Sequence, residues 1–384
     1  MASSHVADES LLAEHLESLR LVDHHVHGAF RTDVSDETFA ETITESDRGL
    51  RAGQSAFDSQ LGFAILRWCA PGLDLDPHAP PEDYLSRRHA LGGEEVNRRL
   101  LGAEGAGAFL VDTGFAADGL LTPDEMAAVS GARCREVVRL EAVAEEVAAG
   151  RPDADTFPAL LADRLADRLA GAAGTKSIVA YRHGFDFDPT RPDPAAVMAA
   201  AGEWCAEIEA TGRVRLTHPV LLRHLLWQGV DAGLPLQLHA GYGDTDLDLH
   251  RANPVLLTEF LRLAEPAGTP VVLLHCYPYH REAGYLAHMF PNVFFDVGLA
   301  INYVGALAPA LVAESLEVAP FAKQLFSSDA WGASELHYLG ARLWRSAMTL
   351  VLDRLVDDGE WSLENATRVA SMIGVENAAA LYGL

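Results

Sequence analysis

The stretch Leu19-Arg20-Leu21-Val22-Asp23-His24-His25-Val26-His27-Gly28 decides how this 384-residue chain is read. An apolar run leads into an acid and then three histidines within four residues. On a strand, residues i and i+2 point to the same face, so His25 and His27 can converge on one ion. His24 faces the other way and reads as structural. Taken alone, a His-x-His pair is modest evidence, because most such pairs arise by chance on surface strands. Its weight depends on where the other polar strand ends fall.

Beyond LRLVDHHV (19–26), seven further short runs are rich in Val, Ile, Leu or Phe: AFLVDTG (108–114), VVRLE (137–141), KSIVAY (176–181), LPLQLHA (234–240), VVLLHC (271–276), VFFDVG (293–298) and QLFSSD (324–329). Runs of this kind suit strands buried on both faces. Helical patterns lie between most of them, such as DPAAVMAAAGEWCAEIEA (193–210) and ANPVLLTEFLRLAE (252–265). The alternation predicts an α/β protein, a closed parallel (β/α)8 TIM barrel. No glycine-rich dinucleotide or phosphate loop follows any strand, which disfavours an open doubly wound sheet. From about residue 28 to 105 the chain reads as helical and polar, a helical insertion after strand 1. No Pro-, Gly- or Ser-rich linker interrupts it, so the expectation is a single domain over 1–384.

A hydrophobic fraction of 49% supplies a sizeable core, and 29 Lys+Arg against 55 Asp+Glu gives a net charge of −26. That field repels phosphate backbones and anionic lipid, so neither nucleic acid nor membrane is expected as a partner. Cys69, Cys134, Cys205 and Cys276 lie far apart without a CxxC pair, which excludes a thiolate zinc knuckle and a disulfide scaffold. MASSHVADESLL lacks the basic and apolar regions of a signal peptide, so the expected location is cytoplasmic. The Ala-rich outer helices permit a homo-oligomer without requiring one.

His239 ends LPLQLHA, His275 falls at the end of VVLLHC, and Asp329 ends QLFSSD. In a parallel barrel the C-terminal strand tips share one face, where active sites are built. Any one of these residues is equally well explained as a hydrogen-bonded core group. Their agreement in register with His25 and His27 is not, because burying several ionisable groups together is costly unless they are paired or coordinated. Imidazole and carboxylate ligands without thiolates suit a divalent metal, zinc first, with manganese or iron as alternatives.

The stretches VDHHVH, TKSIVAYRHGFD, LQLHAGYGDTDLDLHRANP, LLHCYPYHREAGYLAHMFPNVFFDVGLA, LFSSDAWG and ENAAALYG together resemble the amidohydrolase superfamily. The closer likeness is to its "amidohydrolase 2" branch, found alone in bacteria and fused ahead of glutamine-synthetase-like domains in fungi and plants. The resemblance implies a metal site of His25, His27, His239 and Asp329, with His275, holding one or two ions. It implies metal-activated water, with Asp329 passing the proton to the leaving group. With one ion His275 is an oxyanion stabiliser; with two it is a ligand. Lys176 lies where several superfamily members carry a lysine carboxylated by CO2 that bridges two metals. Its other reading is an ordinary lysine below the metal layer.

For the small-molecule substrate, Arg182 at the end of predicted strand four offers a planar fork for a carboxylate. Tyr181 and His183 flank it. Tyr242 and Asp244 follow His239, where the acid could accept a substrate amine, and Asn302 and Tyr303 follow strand seven. Loop capping is the competing explanation for each. Arg281-Glu282 reads as a structural ion pair. The expected function is hydrolysis of an amide (C–N) bond in a small carboxylate-bearing molecule, and the fusion partners of the relatives suggest a γ-glutamyl amide. The alternatives are a metal-dependent decarboxylase and a non-catalytic binding barrel.

Overall fold

The computed structural model describes residues 11–115 and 118–384. Its sheet runs in parallel through β1 (Leu21–Val26), β2 (Ala106–Asp112), β3 (Arg133–Arg139), β4 (Gly174–Ser177), β5 (Leu236–Ala240), β6 (Val271–His275) and β7 (Val293–Phe295), each paired with the next in chain order. The eighth position is filled by 324–330, which bonds to both sheet edges. The Leu325 amide donates to the Phe295 carbonyl at 3.0 Å, while Phe326 and Ala330 accept from the amides of His24 and His27 at 3.2 and 2.8 Å. The circle closes as a TIM barrel. The closing segment is not a regular strand because its ladder is shared between partners and broken where Asp329 turns left-handed, at φ 51°.

Strand four is shorter than the sequence suggests, and Arg182 does not end it. β4 stops at Ser177 and a helical turn, Val179–Arg182, follows. The cause is Glu141, whose buried carboxylate accepts from Ser177 Oγ at 2.5 Å and from the Ile178 amide at 3.1 Å. Those bonds draw the backbone out of the ladder.

Inside the barrel, Val22, Leu110, Val137, Val272, Leu274 and Leu325 form a dry lower layer. Tyr382, from the closing helix Asn377–Tyr382, packs into the same layer and contacts the start of β4 at Gly174. The segment Gly298–Ser315 is apolar, with a mean hydropathy of 1.2, and 56% of it is buried inside the protein. It folds as two short helices packed on the barrel wall.

Between β1 and β2 lies the helical insertion, with helices Asp36–Thr42, Gln60–Ala64, Pro81–Leu91 and Gly93–Ala103. It is fastened to the long helix Ser334–Asp357 by one buried cluster. Glu335, fully buried, accepts from Arg88 Nε at 2.9 Å and from the Tyr84 hydroxyl at 3.0 Å, and Arg88 also reaches Asp33 at 2.7 Å. Removing one partner of such a pair leaves a buried charge uncompensated. Arg88→Ala should therefore cost about 3–5 kcal/mol, read by chemical denaturation. The paired change Arg88→Met with Glu335→Leu should recover most of that loss.

Candidate metal centre and substrate cavity

The ends of β1, β2, β4, β5 and β6, with the closing segment, bring seven ionisable groups to one layer: His25, His27, Asp112, Lys176, His239, His275 and Asp329. Second contacts orient the two β1 rings. His25 Nδ1 lies 2.9 Å from Gln237 Oε1, and His27 Nδ1 lies 3.0 Å from the Asp112 carbonyl. An oxygen acceptor at Nδ1 places the proton there, so Nε2 of each ring offers its lone pair to the centre. His25 Nε2 stands 3.1 Å from Asp329 Oδ1, and His27 Nε2 stands 3.7 Å from the same oxygen. His275 Nε2 is 3.4 Å from Asp329 Oδ2.

His275 reaches this layer through its backbone. Val272 and Leu274 face the barrel interior, so regular alternation would turn His275 outward. A left-handed φ of 67° returns the ring to the interior, and the Asp296 carboxylate holds the turn by accepting the His275 amide at 2.9 Å. Non-glycine residues rarely adopt this conformation, which costs roughly 1–3 kcal/mol each and gathers at functional sites. Asp329 shares it.

Burial governs the charges. It pushes His25, His239 and His275 well below the ordinary imidazole value and His27 down to about 4, so these rings are neutral at physiological pH. The contacts to Asp329 are accordingly not ion pairs. Burial raises Asp329 to about 6 against the pull of His27 and Lys176. Lys176 is lowered to about 8, again chiefly by burial, with Asp112 opposing. Its Nζ sits 3.0 Å from His25 Nε2 and 3.8 Å from Asp112 Oδ2, within the cluster rather than below it.

Two groups of donors are close enough to share one ion, His25 with His27 and Asp112, and His25 with His275 and Asp329. Both His275 nitrogens and Asp329 Oδ1 are buried without a hydrogen-bond partner. Neutral imidazoles beside carboxylate oxygens with unused lone pairs fit a divalent cation. His239 stands beside this set, its ring 4.5 Å from His275, with Nε2 engaged by the Tyr242 carbonyl at 3.0 Å. Asp112 was missed in the sequence although it ends β2 by the same rule that picked out the others. Burial would raise its carboxyl, but Arg139, His27 and Lys176 together hold it below the usual carboxylate range. Arg139 grips it with Nη2 at 2.6 Å.

Above the cluster opens a cavity of ≈ 310 Å³. Of the sequence candidates, Tyr181, Arg182 and Asp244 line it beside His27, Lys176, His239 and Asp329. Arg182 bonds Glu145 through Nη2 at 3.1 Å, while its buried Nε and Nη1 have no partner. Phe115 and Trp331, with ring centres 5.3 Å apart, form the apolar wall beside His27. Tyr242 is not on this wall; its ring packs against Tyr277 and Tyr303. Asn302 is also directed elsewhere, its amide donating to the carbonyls of Ser328 and Leu336 at 3.4 and 3.2 Å. His183 lies outside the lining. His24 packs on Tyr382 and bonds Asp296 at 3.0 Å. Arg281 pairs with Glu317 and Glu314, not with Glu282. Glu45, from the insertion, lines the cavity and carried no signal in the sequence.

The amidohydrolase (Amidohydro_2) family model matches residues 74–384. Protein fluG of Emericella nidulans is 34% identical over 239 residues, 59% of this chain but only 27% of that protein's length. A proposed metal-dependent hydrolase from Lactobacillus casei ATCC 334 superposes with a TM-score of 0.85 at 29% identity, over 97% of both chains. Uronate isomerase from Thermotoga maritima shares the fold alone, with a TM-score of 0.63 at 12% identity over 97% of this chain and 96% of that one. With a family match reaching from the insertion to the last residue, this chain belongs to the amidohydrolase family.

Proposed function

We propose that the protein is a metal-dependent hydrolase that cleaves the amide bond of a small carboxylate-bearing molecule. The observation that carries this reading is one cavity holding both halves of the chemistry. Asp329, with an unsatisfied Oδ1, lies at its floor beside His27 and His239, and a buried arginine with two unpartnered nitrogens lies on its wall. A divalent ion, zinc first, with manganese or iron as alternatives, would be held by His25, His27, His239, His275 and Asp329. It supplies an acidified water and polarises the scissile carbonyl.

The chain's own groups account for the rest. Asp329, raised toward neutrality by burial, takes the proton of the attacking water and returns it to the departing nitrogen. Arg182 donates a hydrogen bond to the substrate carboxylate from Nε or Nη1, the nitrogens that its pairing with Glu145 leaves free. Phe115 and Trp331 keep bulk water from one side of the reacting carbon. Lys176, as its neutral amine, can add CO2 with loss of a proton; the resulting carbamate would be an anionic bridge for a second ion. The resemblance to the amidohydrolase 2 branch, with members fused ahead of glutamine-synthetase-like domains, favours a γ-glutamyl amide within this class.

Asp329→Asn should lower turnover by about 100-fold or more while retaining metal, measured by amine release and elemental analysis together. Near-full turnover in that variant would remove Asp329 from proton transfer. Release of CO2 instead of an amine from a carboxylic acid substrate would replace hydrolysis by decarboxylation.

The charges set two pH dependences. Lys176 loses its proton as pH rises through about 8, so reconstitution with bicarbonate above that value should give two ions per chain and a mass increment of one CO2. Lys176→Met should hold one ion at every pH and never gain the increment. Asp329 gains a proton as pH falls through about 6. Metal retention on dialysis should therefore be level above that pH and decline below it, and Asp329→Asn should flatten the step.

A further inference from the structure

The cavity holds one guanidinium with unused donors and two carboxyl groups without a cationic partner. Of its arginines, Arg139 is occupied by Asp112. Arg215 is occupied by Asp246 at 2.9 Å and by the Tyr181 carbonyl. Arg182 pairs with Glu145 through Nη2, but its buried Nε and Nη1 keep unused donors, and its side chain is only 9% exposed. Buried donors left over in this way have room for a further acceptor, such as a substrate carboxylate. Glu45 and Asp244 also line the cavity, and among the described residues neither has a cationic side chain within ion-pair distance. The Tyr303 hydroxyl faces Glu45, and the Asp244 carboxylate accepts from the Asp246 amide at 2.8 Å. Neither acid belongs to the groups of donors close enough to share an ion.

We infer that Glu45 and Asp244 form an ammonium subsite facing Arg182, so that the cavity selects molecules bearing both a carboxylate and a protonated amine, as in an α-amino acid. This rests on the cavity being the substrate site proposed above, and it makes Glu45 a specificity-determining residue contributed by the insertion. The insertion loop is tied across the mouth by Thr245, whose hydroxyl donates to Asp47 at 2.5 Å, which keeps Glu45 on the Asp244 side. Burial, then the nearby charges of Asp329 and Asp244, raises Glu45 to about 8, and burial raises Asp244 as well. Carboxyls held in this condition lack a counter-cation, and a bound ammonium would restore their ionisation. A zwitterion meets both demands at once, whereas a simple acid leaves the acidic wall uncompensated.

Calorimetry on the metal-loaded protein tests this with matched pairs: aspartate and succinate, glutamate and glutarate, 2-aminoadipate and adipate. At least one amino diacid should bind about tenfold or more tightly than its des-amino partner. Glu45→Gln should abolish most of that preference while leaving the des-amino affinity and the melting temperature unchanged. Asp244→Asn should reduce the preference independently. Arg182→Gln should weaken both members of the pair. Equal binding of the two members, no binding of any pair, or a preference that survives Glu45→Gln would each overturn the subsite. A preference without hydrolysis of any amide would sink only the hydrolase reading. Hydrolysis of amides with no amino preference would sink only the subsite.

Discussion

Seven ionisable side chains share one layer of the barrel, and their desolvation is the constraint on which the remaining structure depends. An unpaired charge in such a place costs several kcal/mol in real proteins, about the order of a domain's whole stability. The layer is tolerable because its imidazoles are neutral and because each β1 ring has one nitrogen fixed by an oxygen acceptor. What is left over is both nitrogens of His275 and one oxygen of Asp329. The left-handed turns at His275 and Asp329 add backbone strain to that cost. A divalent cation would satisfy these donors together.

The layer beneath explains why the site can be held so firmly. Gln237 spans it, accepting from His25 and donating to the His24 carbonyl and the Tyr382 hydroxyl at 2.9 Å. Asp23 accepts the Ser328 amide at 3.0 Å, joining β1 to the segment that carries Asp329. Asp296 holds His24 with one oxygen and the turn of His275 with the other. Each ligand-bearing tip is therefore anchored by a buried polar group from another element. Networks of this kind orient metal ligands and resist repacking. Closure of the barrel and assembly of the centre are the same event, since the segment 324–330 supplies both.

Fold and floor were legible in the sequence because both follow from period and position. Buried parallel strands read as short apolar runs, and their polar C-terminal ends fall on one face, which sufficed for His25, His27, His239, His275 and Asp329. Asp112 obeys the same rule, ending β2 as the others end their strands. Strand four could not be bounded from its own residues. Its end depends on Glu141, a residue on the following helix of the preceding unit, so the signal is tertiary. The same holds for Asn302 and Tyr242. A polar residue just past a strand can face the cavity or brace a neighbouring loop, and only the packing around it decides.

The insertion separates two kinds of information in this protein. Barrel tips are set by a repeating geometry, so residues placed there can be recognised from periodicity. A loop such as that of Glu45 has no period, and its place depends on buried pairings far from it, Arg88 with Glu335 among them. The overall charge gives no help either, because a net −26 belongs to the whole chain while the cavity sets a guanidinium with two unused nitrogens against two carboxyl groups without a cationic partner. If the cavity is the substrate site proposed above, chemistry and selectivity would be carried by different parts of the chain: strand tips bear the candidate metal donors, while the turn after β4, the loop after β5 and the insertion line the approach to them. Changes in the insertion would then alter the accepted molecule without disturbing the metal layer, because neither group of donors close enough to share an ion draws on it.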